Sequence, residues 1–238
     1  MPPRAGFEEQ LKHIQDEVLL IGSLVEKTIH RSVQSLSDRN LELAQQVIAD
    51  DDEIDVRQHE LEEFCIDVIA RQQPMAGDLR MIVTGLQVAS ELERIGDYAE
   101  GIAKISVRMG DQPPLKPLID IPRMADISVN MLRRSLTALN ARDDEIAREV
   151  WQDDDQVDQL NEQVFRELVT YMLQDPRNIE RATLLMWVSH NLERVADRAT
   201  NIAERVIYLS TGLIATEGQS WSDVGLDSDT DKNGGGSE

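Results

Sequence analysis

The chain has 238 residues, of which 41% are hydrophobic and only 4% aromatic, and its 45 acidic and 24 basic residues give a net charge of −21. A negative field of this size repels nucleic-acid phosphates and anionic lipid headgroups, so binding to nucleic acids or to membrane surfaces is disfavoured. No stretch reaches the ~18 apolar residues of a membrane span and the N-terminus lacks a signal-peptide pattern, so we expect a cytoplasmic protein.

Helical periodicity dominates the first hundred residues. Apolar residues at steps of three and four predict a first helix over residues 7–36. The segment SDRN then breaks the pattern, and Asn40 is placed to cap a second helix over 41–72, which stops before Pro74. The same periodicity predicts a third helix over about 77–108.

The segment GDQPPLKP, residues 110–117, is the strongest boundary in the chain, because it holds three prolines and a glycine. The same three elements recur after it. Asp175 and Pro176 are placed as the N-cap and first residue of the last helix, and Gly212 is placed to end it. We predict these three helices over residues 118–140, 144–173 and 176–210.

The two halves are copies of one another. ELERIGDYAEGIAK (91–104) and NLERVADRATNIAE (191–204) share seven of fourteen residues at an offset of 100. DDEID (51–55) matches DDQVD (154–158) at an offset of 103, and the change of offset falls in connections between helices. The sequence therefore predicts an all-α protein with a duplicated three-helix domain: 7–109, a linker over 110–117, and 118–212. Residues 213–238 are polar and acidic, and we predict a disordered tail.

Each half carries two acidic pairs with i, i+4 spacing. These pairs are Asp51/Asp55 and Glu93/Asp97 in the first half, and Asp154/Asp158 and Glu193/Asp197 in the second. Two carboxylates one turn apart repel each other and destabilise a helix by a few tenths of a kcal/mol, so their recurrence suggests a function.

If the second and third helices of each half pack antiparallel, their acidic pairs come side by side. Four carboxylates without thiols make an oxygen-ligand site for Mg²⁺, Mn²⁺, Ca²⁺ or iron. The alternative is that these residues form solvated helix faces, or ion pairs with the adjacent Arg94 and Arg194. The residues alone leave both interpretations open.

Sequence patterns of catalysis are missing. None of the four histidines has a glutamate three residues before it, as a di-iron oxidase bundle requires. No Gly-rich phosphate loop, nucleophile elbow or HExxH motif is present. His190 precedes Glu193 in the reverse order, and we expect it to be an ordinary, partly buried helix residue. These observations argue against a metal-dependent hydrolase or oxidase.

Several single residues are best interpreted as packing. Cys65 is the only cysteine, so we exclude an intrachain disulfide and a multi-thiolate zinc site and predict a small buried hydrophobic residue. Gly96 and Gly101 lie inside the third helix, where glycine is unfavourable by ~1 kcal/mol relative to alanine, so we predict close helix approach there. We expect Trp151 and Trp187 to be packing anchors.

The repeated motifs resemble those of the PhoU family, the phosphate-specific transport system accessory proteins. The resemblance rests on ELERIGDYAEGIAK, on NLERVADRATNIAERVIYLSTG and on ADDDEIDVRQHELEEFCIDVIARQQP, and it covers about residues 7–212. It implies two tandem three-helix bundles related by pseudo-two-fold symmetry, commonly assembled as a homodimer. It also implies a non-enzymatic cytoplasmic regulator that acts with the phosphate transporter ATPase subunit and a sensor histidine kinase, and that damps starvation signalling when phosphate is plentiful.

The resemblance extends to the acidic pairs. The family's E/D-x-x-x-D motifs are described as metal-binding, with a metal that differs among members, so Mg, Mn, Zn and Fe are all candidates here. The matching residues are Asp51, Asp55, Glu93, Asp97, Asp154, Asp158, Glu193 and Asp197. A metal storage or buffering protein is the alternative function, and it would hold many ions per chain. Direct phosphate binding is disfavoured by the net charge, with Arg94 and Arg194 as a local exception.

Overall fold

The computed structural model describes residues 3–212, and their side chains from Gly6 onward. These residues form six α-helices and one 3₁₀ turn, without any strand, which confirms the all-α prediction. The helices are α1 (Pro3–Asp38), α2 (Leu41–Gln72), α3 (Ala76–Met109), α4 (Asp120–Ala141), α5 (Asp144–Gln174) and α6 (Ile179–Thr211). The predicted disordered tail lies outside the described residues. Within them, no helix combines the length and apolar character needed to cross a bilayer.

The helix ends follow local signals in the sequence. The side chain of Asn40 accepts a hydrogen bond from the Leu43 amide at 3.0 Å, which confirms it as the N-cap of α2. Gly212 ends α6 in the left-handed conformation, with φ of 75°.

The predicted start of the sixth helix is wrong by one turn. Asp175 does accept a hydrogen bond from the Arg177 amide at 3.0 Å, but it caps a 3₁₀ turn over Pro176–Asn178. The amide of Asn178 bonds the Asp175 carbonyl at 2.9 Å, an i to i+3 bond that tightens this turn. The regular helix therefore begins only at Ile179.

The apolar helix faces that the helical periodicity predicts lie in the core. On α3 the predicted core face is buried throughout, at Val88, Leu92, Ile95, Ala99 and Ile102. Cys65 is buried as predicted, and its burial raises the pKa of the thiol to about 12. Trp151 packs partly buried against the core, but Trp187 is 55% exposed, so its prediction as a packing anchor is wrong.

The two halves pack against each other through α3 and α6, and through α1 and α4. Asn201 on α6 donates a hydrogen bond to Glu91 on α3 at 3.3 Å. The equivalent positions of the two halves also meet with their roles exchanged, at Gly101 on α3 and Asn191 on α6. The Asn191 amide nitrogen lies 3.0 Å from where a Cβ on Gly101 would sit. The helices are therefore antiparallel and related by a pseudo-two-fold axis, and Gly101 permits their close approach as predicted.

Candidate metal centres

Acidic side chains from α2 and α3 converge in the first half. Asp51 on α2 and Asp97 and Glu100 on α3 each place a carboxylate oxygen within 4.8 Å of the others. Asp55 and Glu93 lie next to this group: burial first, and then the charges of Asp97 and Asp55, raise the pKa of Glu93, while burial and then the charge of Asp55 raise the pKa of Asp97. We call these five residues the first acidic cluster.

Gly96 explains how Asp51 reaches its buried position. A Cβ on Gly96 would lie 3.1 Å from Oδ1 of Asp51 and 3.3 Å from Cδ1 of Ile54. The missing side chain therefore leaves room for an α2 carboxylate against the backbone of α3. This close contact leaves Asp51 only 7% exposed.

The electrostatics of the first acidic cluster favour a cation. Burial first, and then the charges of Glu100, Asp55 and Asp97, raise the pKa of Asp51 to about 7. Lys104 opposes this rise and contacts Glu100 at 2.5 Å. The buried oxygen Oδ1 of Asp51 accepts no hydrogen bond from any described residue. An all-carboxylate donor set with one unpartnered buried oxygen suits a hard divalent cation such as Mg²⁺ or Mn²⁺.

The second half also brings acidic residues together, on α5 and α6, although only the first half places three carboxylate oxygens within 4.8 Å of one another among the described residues. Burial first, and then the charges of Asp158, Asp197, Asp155 and Glu193, raise the pKa of Asp154 to about 6. Its oxygen Oδ1 is likewise buried without a hydrogen-bond partner among the described residues. We call Asp154, Asp158, Glu193 and Asp197 the second acidic cluster. All eight sequence-predicted carboxylates thus lie in one or other cluster, while their role as metal ligands stays a prediction.

The two clusters differ in their partners. Thr200 occupies in the second half the position that Glu100 holds in the first. Arg194 contacts Asp197 at 3.0 Å, so the ion-pair interpretation holds for that carboxylate. His190 is a partly buried helix residue, as predicted, and its Nδ1 also lies 2.8 Å from Oε2 of Glu193, so it is a neighbour of the second cluster. The first cluster therefore has one carboxylate more than the second, while Lys104 bridges one carboxylate of the first cluster and Arg194 one of the second.

Glu100 is the cluster residue that sequence reasoning missed as a ligand. Its spacing of three from Asp97 was a usable signal, since i and i+3 lie on one helix face. The comparison of the two halves did not support Glu100 as a ligand, because Thr200 stands at the corresponding position of the second half. The candidate first site therefore has one more carboxylate than the duplicated motif alone predicts.

Known proteins are similar to this chain in both of its halves. The family model of the PhoU domain matches residues 18–106 and again residues 121–206. A phosphate-specific transport system accessory protein PhoU homolog from Aquifex aeolicus (strain VF5) is 43% identical over 206 residues, covering 87% of this chain and 93% of that protein. The homolog of the same name from Rhizobium meliloti (strain 1021) is 37% identical over 209 residues, covering 87% and 88%.

Two solved structures of PhoU proteins have the same fold. The crystal structure of PhoU from Pseudomonas aeruginosa superposes with a TM-score of 0.83 at 36% identity, covering 87% of this chain and all of that one (100%). The phosphate transport system regulatory protein PhoU from Streptococcus pneumoniae gives a TM-score of 0.82 at 28% identity, covering 88% and 99%. The chain belongs to the PhoU family.

Proposed function

We propose that this PhoU-family protein is a non-enzymatic regulator of phosphate uptake and of phosphate-starvation signalling. The observation that carries the proposal is the match of the family model to both halves of the chain. The similar proteins that span nearly the whole described region are named as accessory or regulatory proteins of phosphate transport. By the same kinship the protein acts in the cytoplasm as a homodimer, docking onto the transporter ATPase subunit and a sensor histidine kinase when phosphate is plentiful.

The acidic clusters give this proposal a physical basis. We propose that each cluster holds a cation, with Mg²⁺, Mn²⁺ or iron fitting the all-oxygen donor set better than Zn²⁺, which usually takes nitrogen or sulfur ligands. Asp51 is too buried to ionise freely near neutral pH, so a cation is the natural partner for its charged form. A bound cation then fixes α2 against α3 and sets the charge of the surface that a partner meets.

The regulatory part is tested by genetics. The gene is deleted in its own organism, and a reporter driven by a phosphate-starvation promoter is measured in phosphate-rich medium. The deletion should leave the reporter active despite the phosphate, and the wild-type gene should silence it again. Normal silencing in the deletion strain would contradict the proposal.

The link between cations and docking is tested by co-purification. The transporter ATPase subunit and the sensor kinase are each captured on the tagged wild-type protein and on a variant with all eight predicted carboxylates changed to Asn or Gln. The variant should lose both partners. Unchanged capture would show that the clusters do not set the docking surface.

A further inference from the structure

A groove of about 680 Å³ runs along the surface between α5 and α6. Its apolar lining residues are Phe165, Met186 and Trp187, and we call them its floor. Acidic residues also line the groove, and we call them its edge; no lysine or arginine lines it among the described residues. These acidic residues are Asp158, Glu162 and Glu193. We call this feature the α5–α6 groove.

The apolar floor is not needed to build the bundle. Phe165 is 54% exposed and Trp187 is 55% exposed, although large aromatic side chains are normally covered. At the corresponding positions the first half carries Glu62 and Gln87, and it folds into the same three helices. The aromatic pair is therefore an addition that the second half alone carries, as expected of an interaction surface.

We propose that the α5–α6 groove docks a cationic amphipathic segment of a partner protein. An apolar side chain of the segment packs between Phe165 and Trp187, and its Lys or Arg residues face the acidic edge. The proposal rests on the proposed function, since it supplies the surface through which a regulator of this kind meets its partner. Aromatic anchors in a partly enclosed groove with charged surroundings are typical of binding hot spots.

Charge selects this occupant over the two other candidates. A second copy docked through this same face would bring an identical acidic edge against the first, and the like charges would repel. The segment 213–238 holds six acidic residues and one lysine, so the same edge repels it. Glu162 is bridged by Arg166 at 2.9 Å, which leaves Asp158 and Glu193 as the main carriers of the attraction.

The groove is physically joined to the second acidic cluster. The rings of Trp187 and His190 meet edge to face with centroids 5.8 Å apart, and His190 contacts Glu193 at 2.8 Å. The groove and the cluster also share Asp158 and Glu193. A cation in the cluster would neutralise the two carboxylates that attract the segment, so we expect the segment to dock while the second acidic cluster is free of its cation.

The test uses the full-length protein, treated with a chelator to remove bound cations, and a fluorescently labelled synthetic peptide. The peptide has about 18 residues, about five helical turns, with Leu on one face and Lys on the other. Its affinity is measured by fluorescence anisotropy for the wild type and for the double variant Phe165→Glu with Trp187→Gln. The variant places at each position the residue type that the first half carries there, so the fold should be kept, and circular dichroism checks this.

A matched control separates the groove from simple charge attraction. Val56→Gln with Ile66→Glu changes two α2 residues of similar exposure, 55% and 57%, and adds the same negative charge. Docking in the groove predicts binding at least about tenfold weaker for the groove variant and changed by no more than about twofold for the control. Attraction by net charge predicts equal or tighter binding for both variants, because each is more negative than the wild type.

Other outcomes would overturn the proposal. Wild type that fails to bind the peptide, or binds equally well a peptide with Glu in place of Lys, excludes a cationic segment. A groove variant that changes from dimer to monomer identifies a second copy as the occupant. Peptide binding that appears only after residues 213–238 are deleted identifies the tail. A groove variant that loses the peptide but still silences the starvation reporter removes the groove from regulation and leaves the proposed function standing.

Discussion

Replacing Asp51 by Asn should stabilise the cation-free protein at alkaline pH. Burial first, and then the charges of Glu100, Asp55 and Asp97, raise the pKa of the Asp51 carboxyl from 3.8 to about 7 in the folded state. The unfolded chain keeps the ordinary pKa, so as the pH rises it loses the proton before the folded state does. Asn removes this difference while keeping the shape of the side chain.

The sign and the size of the effect follow from this pKa. Below about pH 4 both states hold the proton, so Asp51 does not change the free energy of unfolding. Between about pH 4 and 7 only the folded state holds it, so the free energy of unfolding falls as the pH rises. A pKa change of one corresponds to about 1.4 kcal/mol, so the total loss at about pH 8 is on the order of 4 kcal/mol.

The assay is urea denaturation of chelator-treated protein, followed by circular dichroism from about pH 4.5 to about pH 8. The Asp51→Asn variant should lie closest to the wild type at the acidic end, and its stability relative to the wild type should grow steadily towards alkaline pH. Asp52→Asn, at the exposed neighbouring position on α2, serves as the control and should follow the wild type throughout. A gap between Asp51→Asn and the wild type that does not change with pH, or a variant less stable than the wild type at about pH 8, would refute the reasoning.

Three further predictions concern close packing and the difference between the clusters. Gly22→Ala should lower the free energy of unfolding by up to about 2 kcal/mol in the same urea assay, because the new Cβ would lie 2.3 Å from Cδ1 of Leu136 and the overpacking of about 1–3 kcal/mol exceeds the gain of ~1 kcal/mol in helix propensity; a variant more stable than the wild type would contradict the tight α1–α4 contact. Gly96→Ala should weaken Mn²⁺ binding to the first acidic cluster, measured by calorimetry, because the carboxylate of Asp51 must move; equal affinity would show that this carboxylate is not a ligand. Thr200→Glu should tighten Mn²⁺ binding to the second acidic cluster by supplying a further carboxylate there, and titration calorimetry that finds equal or weaker binding would count against a cation at that position.

The helices could be predicted from the sequence because their signals are local. The α2 limits match the prediction, since Asn40 caps one end and Pro74 lies just beyond the other. The start of α6 could not be placed to the residue, because Asp175 can cap an α-helix or a 3₁₀ turn equally well. Packing in the surrounding structure decides between the two.

The convergence of the acidic pairs could also be predicted, since it needs only helical spacing and antiparallel packing. The burial of Asp51 could not be predicted from the sequence. It depends on the absent Cβ of Gly96, on the neighbouring helix, and the sequence indicates only that some close approach occurs there. The repeat argument also passed over Glu100, because it selects what both halves share, and Thr200 replaces this residue in the second half.

The α5–α6 groove escaped sequence analysis for the same reason. Phe165 and Trp187 lie on different helices and have no counterparts in the first half, so neither periodicity nor duplication relates them. An aromatic residue at a helical position is normally part of the core, and only the three-dimensional arrangement shows Trp187 to be exposed.

The most direct test of the account is a Mn²⁺ titration of the cation-free protein, followed by electron paramagnetic resonance of the free ion. About two ions should bind per chain, one at each acidic cluster. Asp51→Asn with Asp97→Asn should remove one site, Asp154→Asn with Asp197→Asn should remove the other, and Asp52→Asn should keep both. Many ions per chain would instead favour a storage protein. Binding that is absent in the wild type, or unchanged in both paired variants, would contradict the assignment of the acidic clusters as cation sites.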